Sequence, residues 1–153
     1  MKRTLGTTLR HLIELLDGSV EQVYSDFSLD YKPRFTPIMR TLAKIEVISV
    51  SELAKEAGIT QPAATQTIQA MAKKGLITIS VNKKDSRKKQ ISLSKQGRAM
   101  MVQLERCWQA TAIAAETLDN ELQTPLTVLA EEAIQALEKK SFLSRIKQAH
   151  QQL

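Results

Sequence analysis

Cysteine, histidine, aromatic side chains and long apolar runs are all scarce in this 153-residue chain, and each scarcity excludes a class of function. The single cysteine, Cys107, allows no internal disulfide and no cysteine-rich zinc site, which fits a reducing cytoplasm. Two histidines, His11 and His150, lie at opposite ends of the sequence, so no metal site is expected. The five glycines are scattered and form neither a P-loop, a dinucleotide-binding loop nor an acetyl-CoA loop, and no cofactor is expected. No nucleophile, base and orienting group share a recognisable spacing, so the chain does not read as an enzyme. No apolar run approaches the ~18 residues that span a bilayer. The basic start Met1-Lys2-Arg3-Thr4 is not followed by an apolar stretch, so a soluble, unexported protein without a membrane partner is expected. Only 4% of residues are aromatic against 42% hydrophobic, a balance typical of helices packed through aliphatic side chains.

Charge is unevenly placed. The formal net charge is +6, but residues 1–50 carry +1, residues 51–98 carry +7 and residues 99–153 carry −2. A basic centre between near-neutral flanks suggests a local footprint for a polyanion such as double-stranded DNA. The competing explanation is a solvated charged face.

Periodicity supplies the elements. Leu9, Leu12, Ile13, Leu16, Val20, Val23, Tyr24 and Phe27 predict an amphipathic helix over 7–27. Phe35, Ile38, Met39 and Leu42 mark a second helix with Pro37 in its first turn. Ser49 and Glu52 form an S-x-x-E capping box opening a short helix, and Gly58 closes it as a left-handed cap. Ile59 reads as a buried turn residue, Thr60 caps the next helix, and Pro62 sits in its first turn before a stop at Gly75. Two helices joined by a short turn containing glycine, the second rich in polar residues, form a helix-turn-helix pattern. Leu76–Val81 and Gln90–Ser94 then read as strands joined by the charged turn 82–89, which makes a wing. Beyond Gly97, a seam of Met101, Leu104, Trp108, Thr111, Ala115, Leu118 and Leu122 predicts a long coiled-coil-like helix. Thr124 as cap and Pro125 at the first position predict one final helix, with Leu126, Leu129, Ala130, Ala133, Leu137, Phe142 and Ile146 on one face.

The fold class expected is therefore mainly α with a small β wing. The element order resembles the MarR family (multiple antibiotic resistance regulators), most sharply in Ser51-Glu-Leu-Ala-Lys-Glu-Ala-Gly-Ile-Thr60, in Lys73-Lys-Gly-Leu-Ile77, and in the wing Asp85-Ser-Arg87 leading to Leu93-Ser-Lys-Gln-Gly97. The arsenic-repressor family is a near neighbour, but it usually lacks two long helices after the wing. The resemblance implies one domain over 1–153. Within it, helices at 7–27 and 98–153 would assemble a homodimer, a winged helix-turn-helix lobe would span 35–95, and two lobes would read a pseudo-palindromic operator. Many such regulators are repressors relieved by a small ligand.

At 100° per residue, Ala64, Ile68, Met71 and Ala72 fall on the core side of the recognition helix, and Pro62, Thr65, Gln66, Gln69 and Lys73 on the opposite side. Glutamine can pair bidentately with adenine, and Thr65 can meet a thymine methyl, so an A·T-containing half-site is expected. No arginine occurs in this helix, although the family often has one at the position of Gln66. By resemblance, Gln61, Ala63 and Thr65 also enter the groove, and Ser49, Ser51 and Thr60 at the two helix starts complete that set. The wing brings Lys83, Lys84, Arg87, Lys88 and Lys89 to phosphates. Resemblance places Arg87 in the minor groove, with Asp85 pairing locally to orient a basic neighbour. Tyr24, Tyr31, Arg34, Phe35, Met39 and Trp108 are candidates to line a site for a small aromatic or phenolic effector, an arginine among aromatics suiting a carboxylate. Cys107, beside the seam residue Trp108, reads as a buried thiol rather than an oxidant sensor. The alternative to a regulator is a protein-interaction adaptor that keeps the fold without specific DNA binding.

Overall fold

The first helix, α1 (Leu5–Asp26), begins before its apolar pattern because the Thr4 hydroxyl accepts the Thr7 N–H at 3.3 Å. The computed structural model describes residues 4–153, so the reading placed on Met1–Arg3 lies outside the described residues. A single turn of 3₁₀ helix at Pro33–Phe35 leads directly into α2 (Thr36–Lys44), with Pro37 in the first turn as expected. The pair α3 (Val50–Ala57) and α4 (Gln61–Lys73) follows, then β2 (Ile77–Val81), β3 (Lys89–Leu93) and α5 (Lys95–Asn120). Two short helices, α6 (Leu126–Lys139) and α7 (Phe142–His150), complete the chain. No helix among the described residues is long and apolar enough to cross a membrane.

The local chemistry of the helix-turn-helix is as its sequence dictates. Ser49 and Glu52 close both halves of the capping box, Gly58 takes φ 68°, and the Thr60 hydroxyl accepts the Ala63 N–H at 3.3 Å. The wing, however, is a three-stranded sheet in the order β1-β3-β2, because Ile48–Ser49 forms an additional strand, β1, antiparallel to β3. Ile48 pairs with Ile91 and Ile79 pairs with the same residue from the other side. Two residues are too short for any alternation to be read.

The chain forms two compact units, one ending at Trp108 and one beginning at Gln109, with α5 contributing to both. The first has a continuous core: Phe35 of the 3₁₀ turn, Ile38 and Met39 of α2, Leu53 of α3, Ala64, Ile68 and Met71 of α4, Leu76, Ile91 of β3, and Leu104 of α5. Ala72 and Ile59 are partly buried, and Thr67 joins the buried face of α4, which makes that face wider than the projection indicated. The expected seam thus changes role along α5, since Met101, Leu104 and Trp108 are buried in this core.

In the second unit no residue from Gln109 onward is buried. Two local expectations are corrected there. Thr124 does not cap α6; Pro125 occupies the cap position, and the carboxylate of Asp119 accepts the Leu126 N–H at 2.8 Å and the Thr127 hydroxyl at 3.2 Å. A carboxylate at a helix start is favoured electrostatically as well as by hydrogen bonding, and it outcompetes a neutral hydroxyl. The single final helix is broken at Lys140, which is extended. The Ser141 hydroxyl opens α7 by accepting the Ser144 N–H at 3.2 Å, while the Arg145 guanidinium donates to the carbonyls of Ala136 at 3.0 Å and Lys140 at 3.2 Å. The end of α6 is satisfied by a side chain from the next helix, so its carbonyls do not require the helix to continue.

Candidate nucleic-acid interface

The recognition face of α4 follows from which residues the core takes. Burial of Ala64, Thr67, Ile68 and Met71 leaves Gln61, Pro62, Ala63, Thr65, Gln66, Gln69 and Lys73 exposed along the opposite side. Thr65 donates its hydroxyl to the Gln61 carbonyl at 3.0 Å. That bond uses its polar atom within the helix and leaves the methyl as the group it offers outward.

The wing is organised by two short polar side chains. The Asn82 side-chain oxygen accepts the Lys84 N–H at 2.8 Å, and the Asp85 carboxylate accepts the Arg87 N–H at 3.0 Å. The Asn82 N–H donates to the Lys88 carbonyl at 2.9 Å, closing the hairpin. Asp85 therefore orients its basic neighbour through the backbone of Arg87, and it forms no ion pair within 4 Å among the described residues. An Asx turn of this kind fixes the chain while leaving the cationic heads in solvent. Lys83, Lys84, Arg87, Lys88 and Lys89 are all exposed.

The fold then joins these parts. A groove of about 490 Å³ is lined by Ser49, Ser51 and Glu52 of the capping box, Gln61 of α4, and Arg87, Lys88 and Lys89 of the wing. Val47, Ile48, Val50, Asn82 and Gln90 complete it, none of which the sequence had singled out as a site residue. Asn82 had a usable signal, an asparagine at the entry of a charged turn; the others are brought in by β1 pairing with β3. The one acid in the groove is engaged by its own helix cap: Glu52 accepts the Ser49 hydroxyl at 2.6 Å and the Ser49 N–H at 3.3 Å. Those bonds, with a smaller contribution from Lys88, depress its pKa. Thr60, Ala63, Thr65, Gln66, Gln69, Lys73, Lys83, Lys84 and Asp85 do not line the groove and lie exposed elsewhere on α4 and the wing.

The expected effector residues form a packed cluster instead of a lined site. Tyr24, Tyr31, Phe35, Met39 and Trp108 are buried, and Tyr31 meets Tyr24 and Phe35 edge-on at centroid distances of 4.9 and 5.6 Å. The Trp108 indole N–H donates to the Tyr24 hydroxyl at 3.2 Å, and the Tyr31 hydroxyl donates to that of Thr36 at 3.3 Å. Burial pushes both tyrosine pKa values up, so the phenols stay neutral. Arg34 stands outside this cluster, exposed, with its guanidinium 5.6 Å from the Phe35 ring centroid. Arg40, which the sequence did not single out, lies 4.9 Å from the Trp108 ring centroid. Cys107 is buried, and burial raises its thiol pKa.

Comparison with known proteins places this geometry. Residues 36–89 match the family model described as the MarR family. No curated protein sequence matches the chain. Among solved structures, the chain is similar to the Mycobacterium tuberculosis transcriptional regulator MOSR in complex with DNA, at 20% identity and a TM-score of 0.68, over 92% of this chain and 100% of that one. It is similar to a C80S mutant of Escherichia coli MarR complexed with operator DNA, at 19% identity and a TM-score of 0.63, over 87% of this chain and 92% of that one. A third similar structure, Bordetella bronchiseptica BpsR, described with regulation of its DNA binding by 6-hydroxynicotinic acid, has 16% identity and a TM-score of 0.64 over 91% of this chain and 95% of that one.

Proposed function

We propose that this chain, whose residues 36–89 match the MarR family model, is a member of that family and a sequence-specific DNA-binding transcriptional regulator, acting in the cytoplasm as a homodimeric repressor at a pseudo-palindromic operator. The observation that carries the reading is the convergence of three wing cations with Gln61 and the capped start of α3 in one groove, beside an exposed, uncharged α4 face bearing Gln66 and Gln69. Exposed cations bind phosphates without regard to sequence, whereas amide side chains discriminate bases. The wing therefore supplies affinity and α4 supplies choice. The exposed apolar residues of α1 and of the helices beyond Gln109 are suited to a second copy of the chain. The effector in this reading is a small aromatic or phenolic acid, with the exposed Arg34, beside the packed aromatic cluster, as its carboxylate partner.

Selection of bound fragments from genomic DNA, followed by binding measurements on the recovered site, tests this division. Arg87→Ala is expected to weaken binding roughly tenfold or more and to reduce the salt dependence by about one phosphate contact. Gln66→Ala is expected to lose about 1–3 kcal/mol of discrimination at one base pair while non-specific affinity holds. Failure of the wild-type chain to enrich any sequence would favour an adaptor that keeps the fold without reading DNA.

A further inference from the structure

The exit of the recognition helix is held from two sides. On one side, the Ser94 hydroxyl donates to the Gly75 carbonyl at 2.5 Å and accepts the Gly97 N–H at 2.9 Å, while the Ser94 N–H donates to the Leu76 carbonyl at 3.0 Å. Ser94 thereby ties the residues that leave α4 to the first turn of α5. The approach is too close for any side chain at Gly97, since a Cβ there would lie 2.1 Å from the Leu76 carbonyl oxygen. On the other side, the Lys74 ammonium pairs with the Asp30 carboxylate from the segment between α1 and α2. Gly75 itself turns the chain at φ 71°.

A joint of this form fixes direction as well as position. A hydroxyl donates one bond and accepts others, and here both functions are engaged by backbone groups of different elements. The recognition helix is 13 residues long, roughly 20 Å, and its exit is at the opposite end from Gln61. A tilt of about 10° about the exit therefore displaces the start of the helix by roughly 3 Å, about the rise of one base step. Small errors at Ser94 become errors of register at Gln61, Thr65 and Gln66.

We infer that Ser94, with Asp30 on the opposite side, is a positioning residue for operator recognition: the two set the angle between α4 and α5, and through it the half-site separation that a dimer accepts. The inference rests on the regulator reading above. Neither residue touches DNA in this account; both act through α4.

The test is selection from a DNA library in which two copies of the enriched half-site are separated by spacers of varying length. The wild-type chain is expected to prefer one spacing. Ser94→Ala is expected to flatten that preference and to reduce the ratio of operator to shuffled-site affinity about tenfold, with non-specific affinity within about twofold of wild type. Ser94→Thr, which keeps the hydroxyl, is expected to restore the preference, and Asp30→Asn to broaden it less than Ser94→Ala does. A loss of folding alone would lower the active fraction without changing the preferred spacing. Unchanged spacing and discrimination in folded Ser94→Ala, or a threonine variant no better than alanine, overturns the inference. If Ser94→Ala does not fold, Asp30→Asn decides, with broadened spacing supporting the assignment and wild-type spacing overturning it. Absence of any enriched site for the wild-type chain defeats the regulator reading itself, and the inference with it.

Discussion

The two compact units differ in how they satisfy their apolar side chains. Between residues 35 and 108, the chain buries Phe35, Ile38, Met39, Leu53, Met71, Leu76, Ile91 and Leu104 almost completely. From Gln109 onward nothing is buried, although Ile113, Ile134, Phe142, Leu143 and Ile146 are all at least half exposed. Fully burying a large aliphatic or aromatic side chain stabilises a fold by about 1.5–3 kcal/mol, so one unit draws on a term that the other leaves unused in the single chain. Helices of 14 and 9 residues are too short to be stable on propensity alone. The lesson is that residues 35–108 close their own core, whereas α1, with Leu5, Ile13, Leu15 and its cap Phe27 more than half exposed, and the second unit present apolar faces to be completed by another surface, in our reading the same helices of a second copy.

The largest effect that would sharpen this contrast is in the core of the first unit. Leu104→Ala removes a fully buried side chain and is expected to cost about 2–5 kcal/mol, measured by urea denaturation followed by circular dichroism. A cost below about 1 kcal/mol would mean that α5 is not integral to the core. Next in size, Ile134→Glu places a charge on an exposed apolar face of α6 and is expected to shift the sedimentation of the chain from dimer to monomer at micromolar concentration. A variant that sediments like the wild type would break the comparison, since that face would then need no partner. Smallest is the effect at the boundary. Cys107, buried and with its thiol pKa raised, is expected to react with a thiol reagent much more slowly in the native protein than in denaturant, and mild peroxide should leave DNA binding intact. Native labelling at the denatured rate would show that the core opens at its edge.

Legibility followed sequence distance. Ser49 with Glu52, Thr60 with Ala63, and the left-handed Gly58 and Gly75 act within a few residues, and their chemistry can be read directly from the chain. The exposed face of α4 was equally accessible, because a helix of known period needs only its apolar side identified. The pairing of β1 with β3, the capping of α6 by Asp119 and the closure of its end by Arg145 escaped notice. Each depends on a partner whose identity only the folded chain selects, and at the start of α6 the Asp119 carboxylate outcompetes the nearer Thr124. The aromatic residues illustrate the same limit in the other direction. Their types suggested a lined site, and their geometry shows a packed cluster with Arg34 outside it.

By itself, then, the sequence determined the helices as far as α5, the caps of α3 and α4, the basic wing and the amide-rich face that α4 turns outward, because these depend on short-range hydrogen bonding, apolar period and charge. Tertiary structure alone decided that Ser49, Gln61 and Arg87 share one groove, and that Ser94 and Asp30 both hold the exit of the recognition helix. Those placements join residues up to 44 positions apart, as between Asp30 and Lys74. No local preference encodes such a pairing, because it forms only when the shared core brings the elements that carry its members together.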